Sequence, residues 1–251
     1  MSDIITNCNR EMKTIIVVPC YNESKRLKQE EFLQFVQQHD DIEFLFANDG
    51  SRDNTLEVLQ QLCEKHPHLN YYDIQPNGGK AEAVRKGMLY AADTMNPDLI
   101  AFWDADLATP LNEIPLMIGW AERGYDVVMG LRLMRLGAKV RRKTTRHYLG
   151  RCFATCASIM LHLPVYDTQC GAKMFRTQVV RDIFPEQFIT RWLFDVEILA
   201  RYKKRYGEEH AIEKIYEFPL FQWIDVDGSQ LKSRDFFKAP MELLKIRRHY
   251  R

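Results

Sequence analysis

The chain has 251 residues, 46% of them hydrophobic and 27% charged, with 35 Lys and Arg against 34 Asp and Glu for a formal net charge of +1. That balance describes a globular chain long enough to bury a substantial core, and excludes a polyanion-binding or acidic-tail protein. No apolar run reaches the ~18 residues of a membrane span, the first residues (Asp3, Asn7, Asn9) do not read as a signal peptide, and the six cysteines show no Cys-x-x-Cys pair, so they read as reduced cytosolic thiols.

Residues 14–19, Thr-Ile-Ile-Val-Val-Pro, form the continuous β-branched run that a doubly buried parallel strand presents. The chain turns out of it at Cys20-Tyr21-Asn22-Glu23, and Phe32, Phe35 and Val36 recur at helical spacing between Leu27 and His39. Ile42 to Ala47 reads as a second strand ending on Asn48-Asp49-Gly50-Ser51-Arg52-Asp53-Asn54-Thr55, and a helix follows with Leu56, Leu59, Leu62 and Cys63 on its apolar face. Asn70 to Ile74 is a third strand. Pro76-Asn77-Gly78-Gly79-Lys80 ends it and opens a helix with Val84, Met88, Ala91 and Met95 on one side. Asp98 to Trp103 is a fourth strand, and a helix near 111–123 leads to a fifth at Tyr125 to Gly130. This alternation predicts an α/β fold with a parallel, doubly wound sheet. Beyond it lie Arg132 to Arg151, with eight basic residues and no acid, then an apolar stretch from Cys152 to Leu163. Arg191 to Leu199 opens another helix, and Asp235 to Arg251 forms a basic amphipathic one.

Asp104-Ala105-Asp106 follows the fourth strand directly. Residues i and i+2 of an extended chain face the same side, so both carboxylates can converge on one cation. Mg²⁺ favours this donor set, taking one or two protein carboxylates and completing its shell with water and phosphate oxygens. Open α/β sheets place ligands at this carboxyl edge. The alternative is an acidic turn capping the next helix. Asp49 suits a base or ribose contact, because a carboxylate accepts two donors. The amides of Asn77-Gly78-Gly79 can approach phosphate oxygens, with Lys80 as a point charge; a plain glycine turn explains those residues equally well.

In order along the chain, Val18-Pro19-Cys20-Tyr21-Asn22-Glu23, Asn48-Asp49-Gly50-Ser51-Arg52-Asp53-Asn54-Thr55, Asn77-Gly78-Gly79-Lys80 and Asp104-Ala105-Asp106 resemble the signature of family 2 inverting glycosyltransferases. Asp104 to Thr109, Asp167 to Lys173, Arg191 to Glu197 and Trp223 to Ser229 look like the dolichyl-phosphate glucose synthase (polyprenyl-phosphate glycosyltransferase) branch, with the mannose synthases as cousins. The resemblance implies a GT-A fold, Rossmann-like and mostly parallel. It implies one catalytic domain over residues 1–235, with 236–251 as a helix packed on or extending it. It further implies that Pro19, Tyr21 and Glu23 line the nucleotide pocket and that Asp49 holds the uracil or ribose. Asp104 would lie near ribose and diphosphate, with Asp106 as ligand to Mg²⁺ or Mn²⁺, and Gln169 and the Trp192–Asp195 segment would border sugar and acceptor. Two departures stand out: Asn48-Asp49 replaces the usual Asp-Asp doublet, and neither the N-terminal anchor nor the C-terminal spans found among relatives are read in this sequence.

The chemistry implied is a single displacement at the anomeric carbon of a UDP-glucose-like donor, with Lys80 assisting the departing diphosphate. A phosphate acceptor, its second pKa near ~6, is already ionised. A saccharide hydroxyl would need a general base, for which Asp195 or Glu197 is the candidate; for Glu197 the alternative is a plain carboxylate on the surface or first turn of the helix. The basic run favours an anionic lipid over nucleic acid, for which no stacking module is present. A polyprenyl phosphate at the cytoplasmic face, met by Arg132, Arg141 and Arg142 on a peripheral protein, is therefore expected over a glycan acceptor. A nucleotide-sugar-binding scaffold without turnover is the non-enzymatic alternative.

Overall fold

The computed structural model describes residues 12–141, 144–225 and 233–250, with backbone alone for 144–149 and 233–238. Apolar β-branched runs become β1 (Thr14–Cys20), β2 (Ile42–Asp49), β3 (Leu69–Ile74), β4 (Leu99–Trp103) and β5 (Val127–Leu131). Between them lie α1 (Gln29–Val36), α2 (Thr55–Cys63), α3 (Lys80–Thr94) and α4 (Ile114–Glu122), the last entered through a 3₁₀ turn at Leu111–Glu113. The second half adds β6 (Lys139–Arg141), α5 (Thr144–Leu161), β7 (Ala172–Arg176), α6 (Thr177–Ile183), α7 (Phe194–Tyr206), α8 (Glu208–Lys214), β8 (Ile215–Pro219), β9 (Gln222–Ile224) and α9 (Ser233–Tyr250).

Seven strands form one sheet in the order β3-β2-β1-β4-β7-β5-β8, and β6 pairs with β9 in a separate ladder. Every pairing in the large sheet is parallel except those of β7, which runs antiparallel to both β4 and β5. The expected, mostly parallel sheet is thus present, and β7 is an antiparallel insertion that strand–helix alternation did not reveal. Alternate residues feed opposite faces: Ile15 and Val17 of β1 pack with α3 and α7, while Ile16 and Val18 pack with α1 and α2. Gly87 lets α3 lie directly on β1, since a Cβ there would come within 2.5 Å of Val17 Cγ1. Strand order reverses between β1 and β4, and at such a switch point the loops leaving the carboxyl ends part to leave a crevice.

Candidate active site

A cavity of about 840 Å³ opens over that crevice, and Pro19, Tyr21, Glu23, Asp49, Lys80, Asp104, Asp106, Arg132, Gln169, Trp192 and Asp195 all line it. Thirteen positions were singled out from sequence for chemistry, donor binding, acceptor binding or metal. The cavity gathers these eleven; the pair left over from the basic run is treated below with its surroundings.

On one wall, β1 ends in Pro19 and Cys20 and β2 in Asp49. The Asp49 carboxylate accepts Gly78 N–H at 2.8 Å and Gly79 N–H at 2.7 Å, and the Asn77 amide at 2.9 Å. The turn amides expected to face phosphate are therefore spent on Asp49, which clamps the loop leading into α3. Asn48, in place of an aspartate, donates to Asp73 at 2.7 Å; a second carboxylate there would face Asp73 as a like charge. Glu23 is pushed above its ordinary value by burial, although Arg26, 2.7 Å away, pulls it down.

The centre holds the acid pair. β4 stops at Trp103, one residue short of Asp104, so a turn and not the pleat brings the two carboxylates together. Leu107 N–H closes it on Asp104 O at 3.2 Å with Leu107 at φ 52°, and the buried Trp103 indole holds the far side through Thr109 O at 2.8 Å. Asp104 donates its backbone N–H to Gly171 O at 3.0 Å. A Cβ on Gly171 would fall 1.9 Å from Asp104 Oδ2, so only glycine leaves room for that carboxylate. Lys80, first residue of α3, reaches Asp104 Oδ1 at 2.5 Å. Burial works against the Lys80 ammonium, yet Asp104 and Asp195 hold it above its ordinary value. Asp106 accepts Ala108 N–H at 3.0 Å, and burial followed by the Asp104 charge pushes its carboxyl up.

Two crowded carboxylates gain most from a divalent cation, so this pair fits Mg²⁺ or Mn²⁺ with Asp106 as the protein ligand. Among the described residues no group of three or more His, Cys, Asp or Glu gathers, which leaves most of such an ion's shell to water and diphosphate.

The far wall comes from the β7 insertion and the start of α7. Lys173, wholly buried in β7, donates to Asp195 Oδ1 at 2.5 Å and to Cys170 O at 2.6 Å, and its ammonium lies 5.2 Å from the centre of the Phe102 ring. Burial raises the Asp195 carboxyl while Lys173 and Lys80 pull it back. Sequence reading gave Lys173 no role. The signal was there: a lone lysine inside Ala-Lys-Met-Phe requires a buried acid, and Asp195 was already a candidate. Arg132 makes a bidentate pair with Asp167, Nε to Oδ2 and Nη2 to Oδ1, both at 2.7 Å. Glu217 of β8 in turn accepts Tyr166 and Asp167 N–H at 2.7–2.9 Å. Gln169 presents a buried Nε2 with no partner among the described residues.

Two expected placements are corrected. Arg141 is exposed on β6, away from the cavity lining, because the β6–β9 ladder carries it outward. Glu197 is wholly buried under the loop before Trp192, bonded to Ile189 N–H and Arg201, so it is no base for this cavity. Arg142 lies outside the described residues.

In fold this is a GT-A protein. Over 95% of its length it superposes on glucosyl-3-phosphoglycerate synthase from Mycobacterium tuberculosis in complex with Mn²⁺, UDP and glucosyl-3-phosphoglycerate, with TM-score 0.68, 15% identity and 80% of that chain covered. A mannosyltransferase from Pyrobaculum calidifontis in complex with GDP-Man and Mn²⁺ gives TM-score 0.62, 14% identity and 64% of that chain. The sequence profile of Glycosyl transferase family 2 matches residues 15–184, and the chain belongs to that family. It is 31% identical over 96% of its length to a dolichyl-phosphate beta-glucosyltransferase of Trichomonas vaginalis, covering 72% of that protein. The Saccharomyces cerevisiae protein of the same name is 30% identical over 96% of this chain and 76% of its own. The human one is 26% identical over 94% and 75%.

Proposed function

We propose that this glycosyltransferase moves a glucosyl unit from UDP-glucose to a polyprenyl phosphate of the dolichyl type, with inversion, at the cytoplasmic surface of a membrane. The carrying observation is that one cavity joins the acid pair and Lys80 to an aromatic wall at Trp192; the names of the relatives point the same way.

Pro19, Tyr21, Glu23 and Asp49 hold the nucleotide end, and Asp104 and Asp106 lie under the diphosphate. A cation held by Asp106, when bound, neutralises charge on the diphosphate as a Lewis acid. A phosphate oxygen of the acceptor forms the new bond to the anomeric carbon as the bond to the UDP oxygen breaks. Lys80, freed from Asp104, follows the charge that builds on the leaving group. Asp195 has one oxygen committed to Lys173. That commitment favours an acceptor already ionised at neutral pH over a saccharide hydroxyl, which needs a base.

The test is transfer from UDP-glucose with Mn²⁺ onto a short polyprenyl phosphate. Product from the wild-type chain, loss of at least ~10³-fold in Asp106→Asn, and only a modest loss in Asp195→Asn are expected. Transfer to free saccharides but to no prenyl phosphate would overturn it.

A further inference from the structure

Lys173 is fully buried in β7, in register with Phe102 of β4 on one side and Met129 of β5 on the other. An apolar side chain of that length would complete the same core. Replacing a buried ion pair by apolar groups of similar volume is often neutral or stabilising, so packing gives no reason for an ammonium at this point. Its contacts do. The ammonium donates to Cys170 O at 2.6 Å, in the loop whose Gly171 carbonyl receives Asp104 N–H, and to Asp195 Oδ1 at 2.5 Å, at the opening of α7. The centre of the Phe102 ring lies 5.2 Å from it, and Asp195 is its one carboxylate partner among the described residues.

Asp195 also faces the cavity. It lines the wall although only 7% exposed, and its Oδ2 enters no hydrogen bond among the described residues. The charged groups that act on it are Lys173 of β7, Lys80 of α3 and Asp104 after β4, and Lys80 is itself 2.5 Å from Asp104. Burial raises the Asp195 carboxyl, Lys173 and then Lys80 pull it back, and Asp104 adds to the rise. Lys80 is the cation that has to move, since it follows the charge building on the diphosphate. Lys173 is walled in by the core and stays with Asp195 throughout the step.

We propose that Lys173 is a positioning residue for the chemical step: it holds Asp195 with one oxygen turned into the cavity, where a fixed negative charge offsets the positive charge growing on the anomeric carbon and ring oxygen as the diphosphate departs. Lys173 itself touches no substrate. No proton moves in this role, so Asp195 acts as a charge and not as a base, in keeping with an acceptor already ionised at neutral pH. By holding Cys170 O with the same ammonium, Lys173 also ties that charge to the loop against which Asp104 is set. The inference rests on the glycosyl transfer proposed above and deepens it.

The experiment follows steady-state transfer from UDP-glucose with Mn²⁺ onto a short prenyl phosphate, across pH, by Lys173→Met, Asp195→Asn and the double variant. Lys173→Met leaves the carboxylate without its fixed cation, so Asp195 takes up a proton. Its kcat is expected to fall about tenfold near neutral pH and to recover as pH rises, with both KM values within about twofold of wild type. Asp195→Asn is expected to lose about tenfold in kcat at every pH. The double variant should match Asp195→Asn, because Lys173 acts only through the charge that variant lacks. Its neutral pair also keeps the test open where Lys173→Met does not fold. A Lys173→Met profile that keeps the wild-type shape overturns the proposal, as does a double variant that loses further activity or regains the wild-type rate. If the wild-type chain transfers to no prenyl phosphate, the acceptor reading falls by itself. The carbon-13 shift of the Asp195 carboxyl, assigned by its loss in Asp195→Asn and followed with UDP and Mg²⁺ bound, then decides the role of Lys173: titration at higher pH in Lys173→Met sustains it, an unmoved titration overturns it.

Discussion

Gly171 ties backbone to chemistry at the scale of one hydrogen atom. The three atoms nearest a methyl group there all belong to the end of the Asp104 side chain. The carboxylate can swing away at little cost to the fold, but it then leaves Lys80 and the place proposed for the diphosphate. Gly171→Ala is therefore expected to lower kcat/KM by at least ~10²-fold, with a melting temperature within ~2 °C of wild type; a large thermal loss would place the glycine's role in folding instead. Asp106 gives a second prediction. Its carboxyl is raised by burial and by Asp104, so as pH rises the unfolded chain loses this proton before the folded one does. The linkage then makes the ion-free protein less stable with rising pH between the ordinary and the raised value. In EDTA, Asp106→Asn should lose less melting temperature than wild type over that interval. With Mn²⁺ and UDP the order should reverse above it, since the wild-type carboxylate is the ligand proposed for the ion. Thermal scans across pH with and without Mn²⁺ check both signs.

At the scale of elements, α7 and α9 together grip the loop that delivers Arg191 and Trp192. Glu197 accepts Ile189 N–H at 3.1 Å and Thr190 N–H at 3.2 Å, Arg201 donates to Ile183, Glu186 and Gln187 carbonyls at 2.7–2.9 Å, and Tyr250 of α9 donates to Glu197 at 2.7 Å. Removing Glu197 strands a buried guanidinium, which costs about 3–5 kcal/mol. Glu197→Ala is thus expected to lower the melting temperature by roughly 6–20 °C, and hydrogen exchange at 186–192 to accelerate. Tyr250→Phe removes two hydrogen bonds, one donated to Glu197 and one accepted from Arg201 Nε at 2.9 Å, each worth about 1 kcal/mol, and should speed exchange in the same segment with a smaller thermal loss. None of this clasp was visible in the sequence, whereas β1 to β5 were, because each is an apolar run punctuated by turn residues. β7 escaped because Lys173 interrupts its apolar pattern, and the acid that makes that lysine tolerable is 22 residues away. Composition also divided one helix in two: α5 runs across the boundary between the basic stretch and the apolar one, which reads as a change of segment. The wall that carries the acid pair was legible for a simple reason: Asp49, Asp104 and Asp106 sit at or just past a strand end, Lys80 opens the helix after one, and a parallel sheet puts those ends on one edge. The acceptor wall was not, since a charge run does not say which arginines are already paired, and Arg132 meets Asp167 only after 35 residues of intervening chain.

Over the whole molecule the net charge is +1, so attraction to an anionic membrane has to come from a local patch. No helix among the described residues is long and apolar enough to cross a bilayer. Two neighbouring helices nonetheless leave apolar side chains uncovered: Ile159 of α5 is 69% exposed, and Met241 and Leu244 of α9 are 71% and 52% exposed. Basic Lys245, Arg247 and Arg248 share α9 with them, while Ala239, Leu243 and Ile246 hold that helix to the domain. This pairing of bare apolar groups with cations is the arrangement of an interfacial helix, which joins burial at about 1.5–3 kcal/mol for each large side chain to about 1 kcal/mol for each basic residue at an anionic surface. It lies on the helices that carry Arg151 and clamp the Trp192 loop, so a lipid acceptor would reach the cavity from the same side. Cosedimentation with vesicles containing anionic lipid is expected at low salt and lost as ionic strength rises, because the cations are surface groups screened over a Debye length of about 8–10 Å. Met241→Glu with Leu244→Glu should weaken binding at every salt concentration and raise KM for a long-chain prenyl phosphate in vesicles. The same pair should leave KM for a short, soluble one unchanged. Equal vesicle binding by the double variant would move the membrane contact to another face of the protein.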